Sequence, residues 1–338
     1  MGIVGAGLMG RWHGRMAERA GARVVSVADP NPDATLRLAT RHGGSRVFAS
    51  ADEMLEGVEI DVLHVCTPPA THCYIAERAI EAGINLVIEK PFTPTASEAE
   101  QLFDKAGARG IAICPVHQFL FQDGVTKARR SLERIGRLIH VEGTVCSAGG
   151  AGRSGEQLES IAAEILPHPL SMMQMFLPDG LPEEGWITLR PTPGELRAFS
   201  RKSDITLTIL ISMRARPTAC NFKLVGTEGT VHLDMFHGFS FIERGRVSRF
   251  SKIARPFDLG MKQFLGAGAN LLHRAMRREL AYPGLQTLIT SFYEAIANGT
   301  PPPISRPDTI RVAMVRDRLM DYAVLNNTFT LKGRAECL

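Results

Sequence analysis

The sequence predicts an α/β protein in two parts, an N-terminal Rossmann doubly wound parallel sheet and a C-terminal α/β domain with a large, mostly antiparallel open sheet. Three observations carry this. A glycine-rich stretch, Gly5-Ala6-Gly7-Leu8-Met9-Gly10, follows the first apolar run, Gly2-Ile3-Val4. Short apolar runs then alternate with helical patterns to about residue 118, which is the sequence form of βαβ units and a parallel sheet. Beyond that point the texture changes to β-rich runs separated by turn signals. A chain of 338 residues can bury two cores of ordinary size, and the change of texture puts the expected division at 1–118 and 119–338, with the last helix packing back on the first domain.

In the first part the runs are Gly2 to Val4, Val24 to Val27, Val62 to Val65, Leu86 to Ile88 and Ile111 to Ile113. Helical patterns lie between them at Arg11 to Ala20, Ala34 to His42, Ile75 to Ala82 and Ser97 to Ala106. Gly21, Gly83 and Gly110 close three of these helices, where a left-handed residue is preferred. A linking helix is expected near Gly124 to Glu133. Strands then follow at Leu138 to Val145, Trp186 to Leu189, Ile205 to Met213, Phe222 to Val225, Thr230 to Leu233 and Phe239 to Ile242. The turn signals Gly226-Thr227-Glu228-Gly229 and Arg244-Gly245 give the second part the pattern of a meander. Its helices are expected at Glu159 to Phe176, Leu259 to Arg278, Gly284 to Asn298 and Pro307 to about Val324. Met261 to Leu280 mixes Arg274, Arg277 and Arg278 with Phe264, Leu265, Leu271, Leu272 and Met276; packing on the sheet or on a sister subunit is favoured over a membrane surface.

Composition removes several classes of function. Hydrophobic residues are 44% and charged residues 22%, ordinary values for a globular protein. The net charge of +4 comes without a long basic run and aromatics are 7%, so nucleic acid is not an expected partner, although a mild positive excess suits an anionic substrate. Six scattered cysteines without a Cys-x-x-Cys pair argue against structural zinc and a disulfide scaffold, and no metal is expected. The opening residues lack a signal-peptide pattern and no apolar stretch is long enough to span a membrane, so a cytoplasmic protein is expected.

The glycine pattern can hold a pyrophosphate. Gly5 permits a tight turn, Gly7 lets a phosphate approach the backbone, Gly10 lets the helix sit close to the strand, and the N–H groups around Leu8 and Met9 face the phosphates. Asp29 ends the second strand at about the distance expected of the acid that binds adenosine ribose hydroxyls, which favours NAD, with NADP as the alternative. Thr67 and Pro68 follow the Val62 to Val65 strand and form a wall along the dinucleotide, while His72 is read as a cap or packed ring. Glu89 and Lys90 end the strand of Leu86 to Ile88, at the edge where open parallel sheets bind ligands.

Together Gly5 to Gly10, Thr67-Pro68-Pro69-x-x-His72, Ala79 to Gly83 and Glu89-Lys90-Pro91 resemble the glucose–fructose oxidoreductase / inositol 2-dehydrogenase / MocA (Gfo/Idh/MocA) family. The likeness is specific over roughly residues 2 to 105 and looser to about 325. It implies a nicotinamide cofactor, sugar or cyclitol substrates, and a homodimer or homotetramer built through the open sheet. It also implies that Lys90 binds the reacting hydroxyl or carbonyl. The family's second signature, Asp-x-Gly-x-His, is met loosely by Glu164-Ile165-Leu166-Pro167-His168. There His168 takes the histidine's place and Glu164 the aspartate's, four residues away on one helix face, and either His168 or Lys90 is the acid/base, which sequence does not separate. Pro167 and Pro169 predict a kink or restart of that helix. Where the family often has Arg-Phe-x-Pro, this chain has His117-Gln118-Phe119-Leu120, and His117 and Gln118 are expected to line the substrate pocket. A non-catalytic NAD-sensing regulator, an NAD-dependent glycosidase and an imine reductase are the alternatives on the same fold.

Overall fold

The computed structural model describes residues 1–147, 149–245, 249–279 and 281–321. Its first sheet is built from β1 (Gly2–Val4), β2 (Ser26–Ala28), β3 (Arg46–Phe48), β4 (Val62–Val65), β5 (Asn85–Ile88) and β6 (Ile113–Pro115). These pair in the order β3-β2-β1-β4-β5-β6, and every pair is parallel. The order reverses between β1 and β4, so a crevice opens at the carboxyl ends of those two strands. Helices α1 (Leu8–Arg19), α2 (Pro32–Arg41), α3 (Ala51–Gly57), α4 (His72–Glu81) and α5 (Ala96–Ala108) connect the strands. Gly21, Gly83 and Gly110 take positive φ values of 88°, 78° and 68°, closing three helices as their positions suggested. The β3 and α3 pair escaped the sequence reading because Arg46 and Val47 lie exposed at the sheet edge and give no apolar run.

Helix α6 (Asp123–Arg130) leads to the second sheet: β7 (Leu138–Cys146), then, after α7 (Gly155–Ile165) and α8 (Pro167–Phe176), β8 (Ile187–Leu189), β9 (Glu195–Lys202), β10 (Ile205–Ser212), β11 (Ala219–Gly226), β12 (Gly229–Asp234) and β13 (Phe239–Arg244). The order is β13-β12-β11-β7-β10-β9-β8, antiparallel except where β10 runs parallel to β7. β9 was missed in sequence because Glu195, Arg197, Arg201 and Lys202 dilute its apolar residues. One face packs inward through Ala198, Ile209, Gly143, Phe222 and Leu233, against α7 and α8.

The other face corrects an expectation. An apolar second face was to be covered by a sister subunit, but the row Ile187, Phe199, Thr208, Glu142, Lys223, His232, Phe241 is apolar only at its ends. Lys223 and Glu142 pair across it at 3.2 Å, and the His232 and Phe241 rings stack at 4.8 Å. The exposed apolar surface lies instead on α9 (Arg249–Met276), which begins ten residues before the sequence suggested and carries Pro256 inside it. Arg255 ties α9 to Glu243 of β13 and Asn270 donates to the His237 carbonyl oxygen at 2.9 Å. Phe257, Phe264, Leu271 and Met276 remain at least 70% exposed, so α9 does not bury its apolar stripe on its own sheet.

Two further helices return to the first part. Helix α10 (Leu285–Asn298) puts Leu285, Leu288, Ile289 and Phe292 into the same core as Ile3, Met16 and Val87. Helix α11 (Arg306–Met320) lies between α5 and α8, and its buried Arg316 donates to the carbonyl oxygens of Thr93 at 2.7 Å and Pro94 at 2.6 Å. The chain just beyond Lys90 is therefore braced by its far end. The expected extension of this helix past Asp321, and Cys337, lie outside the described residues.

Candidate active site

The crevice between β1 and β4 is shaped by glycines. Gly5 has φ of 98°, and a Cβ there would stand 2.5 Å from the Cys66 carbonyl oxygen; at Gly10 it would stand 1.9 Å from the Gly5 oxygen. A Cβ on Gly7 would meet nothing within 4 Å, so Gly7 is the place where the backbone is open to an approaching group. Helix α1 begins at Leu8 with Gly7 as its cap and no side-chain cap, which leaves the first N–H groups, including those of Leu8 and Met9, for an anion. Asp29 accepts from the Ala6 N–H at 2.7 Å and the Asn31 N–H at 2.8 Å, so its carboxylate is fixed at the rim of the glycine turn. Each oxygen keeps a free lone pair there, as a ribose-binding acid requires.

Thr67 and Pro68 follow β4 on the other side of the crevice. The Thr67 hydroxyl accepts from Thr71 at 2.8 Å, and its carbonyl oxygen lies 2.9 Å from His72 Nε2. His72 Nδ1 is 3.0 Å from the Pro91 carbonyl oxygen, and the ring is fully buried. Whichever nitrogen carries the proton, His72 braces one wall against the Glu89-Lys90-Pro91 turn, which fits the packed ring read from sequence.

Lys90 is half-buried at the end of β5, and the Lys90–Pro91 peptide is cis. Glu89 beside it turns its carboxylate inward. It accepts the Lys90 N–H at 3.1 Å, and its other oxygen lies 2.9 Å from His13 Nε2 on α1. Burial by itself would raise the Glu89 pKa, but the bond and charge of His13 together with the Lys90 ammonium hold it below the ordinary carboxylate value.

His168 from the second part shares an electrostatic environment with Lys90 and with His117 from the end of the first part. His117 and Gln118 follow β6 and are 4% and 5% exposed; among the described residues neither His117 nitrogen has a partner, nor does Gln118 Oε1. His168, on the first turn of α8, stacks on Phe119 with ring centroids 4.4 Å apart, and its Nδ1 is also without a partner. Helix α8 reaches this position because Pro169 packs on Gly143, where a Cβ would come within 3.1 Å of the proline. Burial pulls the His117 pKa down to about 4 against the opposing charges of Glu89 and Asp308. Burial, then Lys90, then His117 carry His168 well below its usual value. Lys90, His117 and His168 thus share one field, and His168 is held as a neutral base.

Glu164 is not brought to His168. Leu166 keeps helical φ and ψ, but Pro167 and Pro169 offer no N–H, so the hydrogen-bonded ladder stops at Ile165 and restarts at Pro167, the restart that the prolines predicted. No hydrogen bond joins them among the described residues; Ser160 donates to Glu164 at 3.5 Å on α7. The expected orienting pair is absent from the structure, and Phe119 holds the imidazole instead. Sequence reading also missed His13, His64 and Tyr293. The available signal was a histidine inside the apolar run Val62-Leu63-His64-Val65.

A crevice at the strand-order reversal, with an open glycine, a rim carboxylate and a lysine at the neighbouring strand end, is the arrangement in which open parallel sheets bind dinucleotides. Residues 1–116 match the Gfo/Idh/MocA family model described as "Oxidoreductase family, NAD-binding Rossmann fold". Over 131 residues it is 33% identical to a UDP-N-acetylglucosamine 3-dehydrogenase of Acidithiobacillus ferrooxidans, covering 36% of this chain and 41% of that protein. Over 112 residues it is 34% identical to inositol 2-dehydrogenase 4 of Saccharopolyspora erythraea, covering 32% and 33%. The chain thus spans less than half the length of these two relatives. A solved structure of the Acidithiobacillus ferrooxidans dehydrogenase superposes with a TM-score of 0.72 at 19% identity over 94% of this chain and 95% of that one, which shows a shared fold through both parts. Among the described residues no helix is long and apolar enough to cross a membrane, and no group of three or more metal-ligating side chains occurs.

Proposed function

We propose that this protein is an NAD-dependent dehydrogenase or reductase that interconverts a secondary alcohol and a ketone on a sugar, cyclitol or sugar derivative. The observation that carries this reading is the shared environment of Lys90, His117 and His168, the two histidines with buried ring nitrogens that have no partner among the described residues, together with a crevice whose glycines and Asp29 suit a dinucleotide. Gly5, Gly7, Leu8, Met9 and Gly10 would hold the pyrophosphate, Asp29 the adenosine ribose, and Thr67 and Pro68 the wall. The bound dinucleotide would supply the two-electron hydride acceptor or donor.

The chain's own residues do the rest. Lys90 donates to the carbinol oxygen and stabilises the alkoxide that develops as the hydride leaves; His168, neutral, takes the hydroxyl proton. His117 and Gln118 offer hydrogen bonds to neighbouring hydroxyls. The family relatives named as dehydrogenases of a nucleotide sugar and of inositol support a polyol-like substrate. Residues 1–118 and 119–338 would act as cofactor and substrate domains, with α10 and α11 tying the second to the first. Assembly as a homodimer or homotetramer in the cytoplasm belongs to the same reading, and α9 rather than the sheet offers the apolar surface for it.

The test is the appearance of NADH absorbance on incubating the protein with NAD and a panel of sugars, cyclitols and nucleotide sugars, alongside direct titration of NAD and NADP. NAD should bind more tightly, because Asp29 repels a 2′-phosphate. Binding of NAD with no turnover of any polyol, ketone or imine would favour the sensing regulator.

A further inference from the structure

Helix α9 is built inside out. Toward the protein it presents polar groups: Arg255 pairs with Glu243, Asn270 and Arg274 donate to the His237 carbonyl oxygen at 2.9 and 3.0 Å, and Arg277 meets Asp123 at 3.5 Å. Toward solvent it presents eight large apolar side chains between Ile253 and Met276, each 58% to 80% exposed. At roughly 100 Å² apiece they present about 800 Å², more than the largest apolar patch of a typical monomer and one partner's share of a stable interface. Turning the helix to bury them on its own sheet would break the polar contacts that hold it, so the cover comes from outside the chain.

The spacing of the outer face says what that cover is. Phe257, Met261, Phe264, Gly268, Leu271 and Ala275 follow one another at steps of four, three, four, three and four, the seam of a coiled coil, and all six are exposed in a single chain. A second α9 laid antiparallel about a twofold axis at the level of Gly266 sets Phe257 against Ala275, Met261 against Leu271 and Phe264 against Gly268. One register thus meets both phenylalanines with a small residue and pairs the two side chains of middle size. A parallel pair would stack phenylalanine on phenylalanine and leave a gap at the glycine. Gly268 is the sharpest sign. A glycine inside a helix is unfavourable, a Cβ there would meet nothing within 4 Å, and its φ is not in the left-handed region, so nothing within one copy calls for it.

We propose that two copies of this chain pair through α9, antiparallel about that axis, as an isologous dimer interface. An anionic bilayer is the rival cover for an apolar stripe flanked by basic residues. A bilayer accepts any apolar side chain and calls for no matched register, and the flanking charges are already engaged, Lys262 with Asp258 at 2.6 Å and Arg255 and Arg277 with Glu243 and Asp123. The pairing rests on the assembly put forward with the proposed function and is independent of the dehydrogenase chemistry.

Sedimentation velocity of the full chain at micromolar concentration should give a dimer or a multiple of it, and Phe264→Asp should halve that mass without altering the circular dichroism. Gly268→Leu has free space around it in one copy but overfills the paired seam, so it should raise the dissociation constant by roughly tenfold or more. Cross-linking reads the register. Met261→Cys and Leu271→Cys proteins, one of them isotope-labelled, should on mixing and oxidation form a disulfide between those two positions. Met261→Cys alone should give no link between the two copies of position 261, which lie about 15 Å apart along antiparallel helices. A monomer at micromolar concentration, an oligomer that survives Phe264→Asp, or a self-link of Met261→Cys overturns the pairing. So does a monomeric chain that sediments with phosphatidylglycerol vesicles, which assigns the stripe to lipid. A monomer that oxidises a polyol with NAD sinks the pairing and leaves the dehydrogenase reading intact; a dimer in this register that turns over no substrate does the reverse.

Discussion

Two groups of buried polar side chains flank the strand that ends in Lys90. On the α1 side, Glu89, His13, His64 and Tyr293 satisfy one another end to end at 2.8 to 2.9 Å. On the α8 side, His117, Gln118 and His168 are as firmly placed yet leave polar atoms without protein partners. An unmade hydrogen bond on a buried group costs on the order of 1–3 kcal/mol, so the second group is a standing expense to the fold. A closed network holds a shape; an open one leaves hydrogen bonds for another molecule to make. On the proposed function, the difference separates residues that position from residues that would contact substrate.

The strongest way to break this comparison is at the lysine between the groups. Lys90→Met keeps bulk and deletes charge and donors, so turnover should fall by roughly two to four powers of ten while NAD still binds. His168→Asn should fall near the lower end of that range. Steady-state kinetics with parallel cofactor titration decides it. Near-normal turnover by Lys90→Met would make the motif structural here.

A smaller effect should appear in stability. His117 stays neutral in the fold down to about pH 4, whereas in the unfolded chain it takes a proton near 6.5. The folded pKa is the lower one, so the unfolded state binds more protons between these values and stability is lost as pH falls from 6.5 to 4. One such group contributes up to about 3 kcal/mol over that window. His117→Gln should flatten the acid side of a denaturation-midpoint-against-pH curve. An unchanged slope would mean that His117 reaches solvent more freely than its 4% exposure indicates.

Which of these features could be read in the sequence follows from how far apart their parts lie. The Gly5, Gly7 and Gly10 roles and the placement of Lys90 were legible, because each depends on a strand and the few residues after it. The positive φ at Gly5 and the open side of Gly7 match those readings. The closed network was not legible: His13 and His64 are 51 positions apart, His64 and Tyr293 229, and only the folded sheet and the returning α10 bring them together. β9 was hidden by its charged residues, and the polar outer face of the second sheet by the lack of any way to tell which alternate residues face inward. Glu164 shows the opposite error, a local rule applied where the local structure breaks. The four-residue spacing puts two side chains on one face only in a continuous helix, and Pro167 ends that continuity.

The smallest expected effect sharpens the comparison most. With Glu164 beside it, His168 would titrate above its reference value of about 6.5, and Glu164→Gln would shift the acid limb of oxidation downward. The structure places burial and Lys90 around His168 instead, and both favour the neutral ring. The limb should therefore lie below 6.5, vanish in His168→Asn, and stay within a few tenths of a pH unit in Glu164→Gln. A limb above 6.5 that moves when Glu164 loses its charge would show that substrate or cofactor closes α7 onto α8, and the open group around Lys90 would then gain the carboxylate it lacks.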